Sequence, residues 1–158
     1  MYRYCKVLFL TAFMMFLSGI AFAQAARQDV VKPVIANQDL IIQVEEVTET
    51  AMFYPVDIDG ARIEVLVVKA PDGTIRTAFN TCQVCYGSGR GFYKQQGTLL
   101  VCQNCGNRFR MSQVGIRSGG CNPVPILAEN KMVSDTTITI SQDFLKEARN
   151  LFARWRRS

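Results

Sequence analysis

The 158-residue sequence contains no histidine. Imidazole activates serine and cysteine nucleophiles and ligates zinc, haem iron and some iron–sulfur clusters. Its absence therefore excludes nucleophiles activated by histidine and metal sites that have histidine ligands. Acidic residues are absent from positions 73–128, although the chain carries 13 of them. Long apolar stretches are scarce too, because only residues 7–23 form an extended run without charge, and this excludes a polytopic membrane protein. Cysteine, with six copies, is left to carry any soft-metal chemistry.

The first 23 residues are typical of a secretory signal. Arg3 and Lys6 precede the apolar run, and Ala21, Phe22 and Ala23 resemble a small-residue cleavage site. An uncleaved membrane anchor is the alternative. We therefore predict a periplasmic or otherwise extracytoplasmic protein, with anchoring to the inner membrane through the N-terminal segment as the second option.

The remaining sequence has the composition of one globular domain, with 49% hydrophobic and 20% charged residues in the whole chain. We predict a signal or anchor at 1–23, a linker at 24–38 and a single domain at 39–158. Short runs rich in Val, Ile, Phe and Tyr predict strands. These runs cover residues 40–44, 51–58, 62–69, 74–79, 98–101, 109–114 and 133–140.

Turn signals separate the first of these strands. Asp59-Gly60 and the Pro-Asp-Gly sequence at 71–73 fit tight hairpin connections. Pro55 cannot donate to a strand ladder, so its strand is expected to lie at an edge or to contain a bulge.

The chain closes with a sequence that predicts one amphipathic helix. Apolar residues recur at helical spacing from Phe144 to Trp155, and Ser141 is a candidate N-cap. We expect the apolar side to pack on the β domain; the alternative is a basic helix lying on a membrane surface.

The cysteines form the strongest motif. Cys82, Cys85, Cys102 and Cys105 give the spacing C-x2-C-x16-C-x2-C, which is typical of a four-thiolate metal site at the tips of two loops. Disulfides or a redox-active dithiol are the alternative in an oxidising compartment. Removal of Cys5 with the signal leaves an odd number of cysteines, which disulfides alone do not accommodate.

Spacing does not identify the metal. Zinc, a single iron, an iron–sulfur cluster and cuprous copper all accept thiolate ligands. Six basic residues surround the cysteines within the stretch that lacks acids, and they favour an electron carrier that docks on an acidic partner, although a solvated basic face is the plainer interpretation. These residues are Arg76, Arg90, Lys94, Arg108, Arg110 and Arg117.

A fifth cysteine lies in the sequence GGCNPVP at residues 119–125. Two glycines before Cys121 and two prolines after it predict a rigid turn with close backbone approach, of the kind that can cover a metal site. Cys121 is a candidate fifth ligand, a disulfide partner of one of the other cysteines, or a buried thiol.

These motifs together resemble the FtrD-like family of membrane iron–sulfur proteins, described as ferredoxin-like and associated with bacterial ferrous-iron uptake. Both cysteine pairs, Gly106, Phe109 and the GGCNPVP run carry the resemblance, which spans about residues 51–140. It implies that the two pairs hold an iron–sulfur centre and that Cys121 belongs to the same signature. The chain has one apolar segment, whereas long members of the family have several.

The order of strands is also similar to that of the Rieske domain, with Cys85 and Cys105 near the positions of its histidines. We therefore predict a mainly β protein: a small antiparallel β domain of Rieske-like or rubredoxin-like character, with an N-terminal signal or anchor helix and a C-terminal amphipathic helix.

The predicted function is an exported iron–sulfur or iron–thiolate protein that carries single electrons and supports ferrous-iron or related metal uptake. No acid, base or nucleophile constellation is visible, so we do not expect an enzyme. Expected partners are an acidic redox protein or iron-uptake membrane proteins, and no nucleic acid. The alternatives are a structural four-cysteine zinc module that binds a partner or anionic lipid, and a periplasmic thiol–disulfide exchange protein.

Overall fold

The computed structural model describes residues 29–116 and 118–157 of the chain. The predicted signal or anchor at 1–23 lies outside these ranges. The strands, in chain order, are β1 (Val30–Val31), β2 (Ile35–Ala36), β3 (Leu40–Gln43), β4 (Met52–Ile58), β5 (Ala61–Lys69), β6 (Ile75–Cys82), β7 (Tyr93–Gln96), β8 (Leu99–Cys102), β9 (Arg108–Arg110), β10 (Pro123–Pro125), β11 (Met132–Val133) and β12 (Thr137–Ile140). The helices are α1 (Gln142–Glu147) and α2 (Arg149–Phe152), with 3-10 turns at Val44–Glu46, Tyr86–Ser88, Met111–Gln113 and Ala128–Asn130.

The strands form three sheets. The largest has the order β1-β4-β5-β6-β10, with β2 also paired to β4. Two three-stranded antiparallel sheets, β11-β12-β3 and β7-β8-β9, accompany it. The prediction of a mainly β protein built of small antiparallel sheets is confirmed.

The hairpin between β4 and β5 forms as its sequence predicts. Ile58 pairs with Ala61, so Asp59 and Gly60 make a two-residue connection. Both have positive φ, 52° and 77°, which is the conformation that matches the twist of the flanking strands.

Pro55 lies in β4, which pairs with β5 on one side and with two separate short strands, β1 and β2, on the other. The parallel partner β1 ends opposite Phe53, and β2 begins opposite Val56. Pro55 therefore falls at the gap between β1 and β2, where β4 is locally open, and its missing N–H costs no hydrogen bond there.

The described part of the predicted linker, residues 29–38, is attached to the large sheet. Besides the pairing of β1 and β2, the backbone N–H of Val30 donates to the carbonyl of Ala51 at 3.1 Å, and that of Lys32 donates to Phe53 at 2.8 Å. A two-residue strand leaves no apolar periodicity, so the sequence could not distinguish this segment from an irregular linker.

Two other predicted strands are shorter than expected. The run at 109–114 contributes to β9 and then enters the 3-10 turn Met111–Gln113. The run at 133–140 is divided into β11 and β12 by a turn in which the Ser134 hydroxyl accepts the backbone N–H of Thr137 at 2.9 Å. Local side-chain hydrogen bonding of this kind competes with the extended ladder.

The large sheet is buried on both faces. Its central strand β5 is enclosed from Ile63 to Val68. Ile63, Val65 and Val67 belong to one apolar cluster, together with residues of β3, β12 and the helices. Leu66 and Val68 belong to a second cluster, together with residues of β7, β8, β9 and several cysteines. The thiols of Cys82, Cys85 and Cys102 are thus part of the second core.

The C-terminal segment forms α1 and α2 rather than one continuous helix to Trp155. The Ser141 hydroxyl accepts the backbone N–H of Phe144 at 3.3 Å, so the predicted N-cap is confirmed. Leu145 and Phe152 are buried in the first cluster, which confirms that the apolar side packs on the β domain. Within the described ranges, no helix is long and apolar enough to cross a membrane.

The C-terminal tail is tied to the large sheet by an almost buried ion pair. The Arg157 guanidinium donates to the Glu64 carboxylate, reaches Asp29 at 3.2 Å, and lies 4.1 Å from the centre of the Phe53 ring. The Asn80 amide also donates to Glu64 at 2.6 Å. Burial raises the pKa of Glu64, and Arg157 works against that rise because its positive charge favours the carboxylate.

We expect Arg157→Ala to lower the free energy of unfolding by about 3 kcal/mol, because it leaves the Glu64 carboxylate buried without its countercharge. Arg149→Ala is the matched control: Arg149 contacts Asp59 at 3.4 Å with both side chains about half exposed, and such pairs contribute less than about 1 kcal/mol. Urea denaturation checks both variants. Equal, small losses would contradict the structural role of the Arg157 pair.

The Arg157→Ala defect should depend on pH. Without the guanidinium the pKa of Glu64 rises further, so the folded variant binds a proton that the unfolded chain releases. The stability difference from the unmodified chain should therefore shrink as the pH falls below the raised pKa and grow as the pH rises through it.

Candidate metal centre

The two cysteine pairs occupy the turns that follow β6 and β8, as predicted. Cys82 ends β6 and Cys102 ends β8. The segment between the pairs connects the two turns: the carbonyl of Gly91 accepts the Cys82 N–H at 2.6 Å, and the carbonyl of Phe92 accepts the Gln103 N–H at 2.8 Å. Backbone hydrogen bonds therefore hold both turns against one short segment.

A third turn brings Cys121 to the same place. The strand β10 pairs with β6 so that Pro123 lies opposite Cys82. The Gln83 N–H donates to the carbonyl of Asn122 at 3.0 Å, and the Gln83 side chain accepts the Gly119 N–H. Cys121 is thus placed beside the first cysteine pair by strand register.

Four thiols converge at this point. The sulfur atoms of Cys82, Cys85, Cys105 and Cys121 all lie within 4.8 Å of one another. Three of them belong to the predicted four-thiolate set, and the fourth is Cys121, the predicted candidate for a fifth ligand. The two members from the first pair are buried, Cys105 is exposed and Cys121 is half-buried.

Cys102 lies directly behind this group, almost completely buried. Its sulfur accepts the backbone N–H groups of Cys105 and Asn104 and is in hydrogen-bond contact with the Cys105 sulfur. All five described cysteines are free thiols. The structure therefore offers one group of four sulfurs and a fifth sulfur in contact with it.

The thiols differ in how readily they ionise. The backbone N–H of Asn107 is the main reason why the pKa of Cys105 falls to about 7. Burial raises the pKa of Cys85 and raises that of Cys102 to about 12. The pKa of Cys121 rises to about 12, mainly because its thiol hydrogen-bonds to the Cys105 sulfur. Negative charge is thus more stable on the exposed Cys105 than on Cys85, Cys102 or Cys121.

Two glycines permit this geometry. Gly106 has φ 73° and donates its N–H to the carbonyl of Cys102 at 2.9 Å, which closes the second turn. A Cβ on Gly91 would lie 2.8 Å from the backbone of Cys85, closer than a side chain can approach. Position 106 requires glycine because its backbone is left-handed, and position 91 requires glycine because a side chain would collide with Cys85.

Residues 46–152 match the family described as membrane iron-sulfur containing protein FtrD-like. The chain belongs to the FtrD-like family. Comparisons with curated proteins and with solved structures gave no match. The resemblance inferred from the sequence motifs is thereby confirmed. The family description and the convergent cysteines together support an iron–sulfur protein.

The side chains of this FtrD-like protein fit a thiolate-bound metal. Four thiols provide soft ligands, and backbone or side-chain amides of Asn104, Cys105 and Asn107 donate to sulfur atoms, which stabilises the thiolate form. In a tetrahedral site with metal–sulfur bonds of about 2.3 Å, the sulfurs lie about 3.8 Å apart. A mutual separation of at most 4.8 Å therefore suits one ion held by all four sulfurs.

Tyr93, which the sequence did not single out, supports the third turn. It is completely buried, and its hydroxyl donates to the carbonyl of Cys121 at 2.8 Å. The Asn107 side chain donates to the same carbonyl at 2.9 Å. The sequence signal for Tyr93 is the alternation of inward and outward side chains along β7, which places Tyr93 on the inward side once the strand is known.

Cys121→Ser should weaken metal binding much more than Cys102→Ser, because Cys121 belongs to the convergent group and Cys102 does not. We expect Cys121→Ser to cost more than the roughly 10- to 100-fold that outer-shell changes cost, and Cys102→Ser to fall within that range. Cobalt(II) titration of the metal-free variants, followed by the thiolate-to-cobalt absorption band, measures this. The reverse order would favour the ligand set predicted from sequence spacing.

Tyr93→Phe should lower cobalt(II) affinity by about tenfold, since it removes the hydrogen bond that holds the Cys121 carbonyl. Tyr86→Phe is the control, because Tyr86 lies beside Cys85 but is exposed. A Tyr93→Phe variant that binds cobalt as tightly as the Tyr86→Phe variant would show that the hydroxyl does not position the turn.

Proposed function

We propose that this FtrD-like protein is an exported one-electron carrier with an iron–sulfur or iron–thiolate centre, and that it supports ferrous-iron or related metal uptake. The observation that carries the proposal is the group of four thiol sulfurs within 4.8 Å of one another in a member of a family described as iron–sulfur containing. An iron centre bound there supplies a reversible one-electron change.

The protein contributes the surroundings of the centre. Cys82 and Cys85 are buried, so they hold the inner side of the site away from water. Cys105 is exposed, which places one ligand at the surface, where an electron can pass to another protein. We propose no substrate transformation, and the protein acts as an electron-transfer component only.

We also propose a domain of Rieske-like or rubredoxin-like type and a periplasmic location, with or without an inner-membrane anchor. The proposed partners are acidic redox proteins or iron-uptake membrane proteins. The family description supports association with a membrane. The separation of the sulfurs supports a rubredoxin-like mononuclear iron over a cluster, because thiolates bound to different irons lie farther apart than those on one ion.

A structural zinc site is the second candidate. The same close grouping of four sulfurs suits tetrahedral zinc, which is closed to further ligands and has no redox chemistry. In that case the chain would be an interaction module whose fold depends on the ion.

The deciding experiment is metal and acid-labile sulfide analysis of the full chain purified without oxygen, with electron paramagnetic resonance before and after reduction. We expect at least one iron per chain and a reversible signal. Cys82→Ser should lose the iron, whereas Cys5→Ser, which changes a cysteine outside the described residues, should keep it.

Different results of the same experiment would favour zinc binding, thiol–disulfide exchange or an iron–sulfur cluster. Stoichiometric zinc with no reducible iron would overturn the electron-carrier proposal in favour of the structural module. Four cysteines found as disulfides in freshly prepared protein without metal would overturn it in favour of thiol–disulfide exchange. Acid-labile sulfide in proportion to iron would establish a cluster rather than a single iron.

A further inference from the structure

The outer side of the β7-β8-β9 sheet carries a regular pattern of basic and apolar residues. Strand register places Lys94, Val101 and Arg108 side by side, and Gln96, Leu99 and Arg110 in the row next to them. Paired residues point to the same side of a sheet. We call these six residues the basic sheet face.

The opposite side of the same sheet is buried in the second core. Tyr93 pairs with Cys102, and Gln95 pairs with Leu100, which pairs with Phe109; all five are buried. In contrast, Lys94, Arg108 and Arg110 are exposed, with Val101 and Leu99 half-buried between them. The basic sheet face is thus a solvent-facing side with an apolar middle and charged margins.

This face adjoins the thiol group. Val101 immediately precedes Cys102, and Arg108 follows the exposed Cys105 by three residues. Lys94 and Arg108 are separated by two strand spacings, roughly 10 Å. Because the screening length is about 8 Å at physiological ionic strength and about 30 Å at about 0.01 M, the charges act together mainly at low ionic strength.

Neighbouring acids do little to neutralise the face. The sequence has no Asp or Glu from position 73 to 128. Among the residues that the structure describes, the ion pairs use other cations, and neither Arg108 nor Arg110 takes part in one. Lys94 lowers the pKa of Asp29, although less than Arg157 does.

We propose that the basic sheet face is the docking surface for an acidic one-electron redox protein, which exchanges electrons with the thiol-bound centre beside it. This inference rests on the proposed function and adds the surface used. One electron leaves the reduced centre, which is oxidised by one unit, and enters the partner, which is reduced by one unit, with no proton transferred.

A protein partner fits this face better than a lipid surface. Val101 lies between Lys94 and Arg108, and in the next row Leu99 lies between Gln96 and Arg110. An apolar centre with a polar and charged rim matches a weak protein interface. Such charges mainly raise the rate of encounter, which suits a transient electron-transfer complex.

The test uses the metal-loaded, reduced full chain and two one-electron acceptors of opposite charge: cytochrome b5, which is acidic, and cytochrome c, which is basic. At an ionic strength of about 20 mM, Lys94→Glu and Arg108→Glu should each slow the reaction with cytochrome b5 by about tenfold and accelerate that with cytochrome c. Stopped-flow absorbance at the haem bands gives the rates.

Lys69→Glu is the matched control. It makes the same change of charge at a site far from the thiol group. Lys69 pairs with Ile75, and Ile75 lies seven residues, or about 23 Å, from Cys82 along β6. We expect this variant to react within twofold of the unmodified chain. If Arg108→Glu behaves like Lys69→Glu with both acceptors, the docking proposal is overturned.

A binding measurement keeps the two proposals separate. If no reducible centre is found, the electron-carrier proposal fails, and docking is measured with the zinc-loaded chain by titration with cytochrome b5 in nuclear magnetic resonance. Loss of binding in Arg108→Glu but not in Lys69→Glu supports the surface. Binding of phosphatidylglycerol vesicles that depends on Arg108, without any effect on cytochrome b5, would assign the face to lipid instead.

Discussion

The arrangement of the thiol group depends above all on the pairing of β10 with β6. This antiparallel register sets Pro123 opposite Cys82, and the turn before β10 then lies against the first cysteine pair. Cys121 is 16 residues beyond Cys105 in the chain, yet its sulfur lies within 4.8 Å of three other cysteine sulfurs. Hydrogen bonds from Tyr93 and Asn107 to the Cys121 carbonyl then hold the turn that the ladder has placed.

The large sheet gives this pairing its rigidity. Its central strand is buried on both faces, so the sheet cannot shift relative to either core without exposing apolar side chains. Cys82, Cys85 and Cys102 belong to the second core, which also contains Leu100 and Phe109. The tail residues Trp155 and Arg157 add polar contacts from outside, to the Asn80 carbonyl and the Glu64 carboxylate. The geometry of the thiols is therefore supported by packing from several elements.

The site is also asymmetric, with consequences for its chemistry. Two thiols face the core, while Cys105 faces solvent and receives the N–H of Asn107. The thiolate form of Cys105 is thus stabilised at the surface, three residues before Arg108 of the basic sheet face. In the function that we propose, the proximity of an exposed ligand to a basic face would link metal binding to the recognition of an acidic protein.

Residues close together in the chain determined much of what could be predicted. The doubled C-x2-C spacing, the Asp59-Gly60 hairpin and the Ser141 cap each depend on local backbone geometry, which a few neighbouring residues decide. Only the tertiary structure decided that Cys121 joins the group of four while Cys102 lies behind it, and that β1 and β2 attach to β4. These contacts join segments distant in sequence, and strand register, which local propensity does not specify, brings them together.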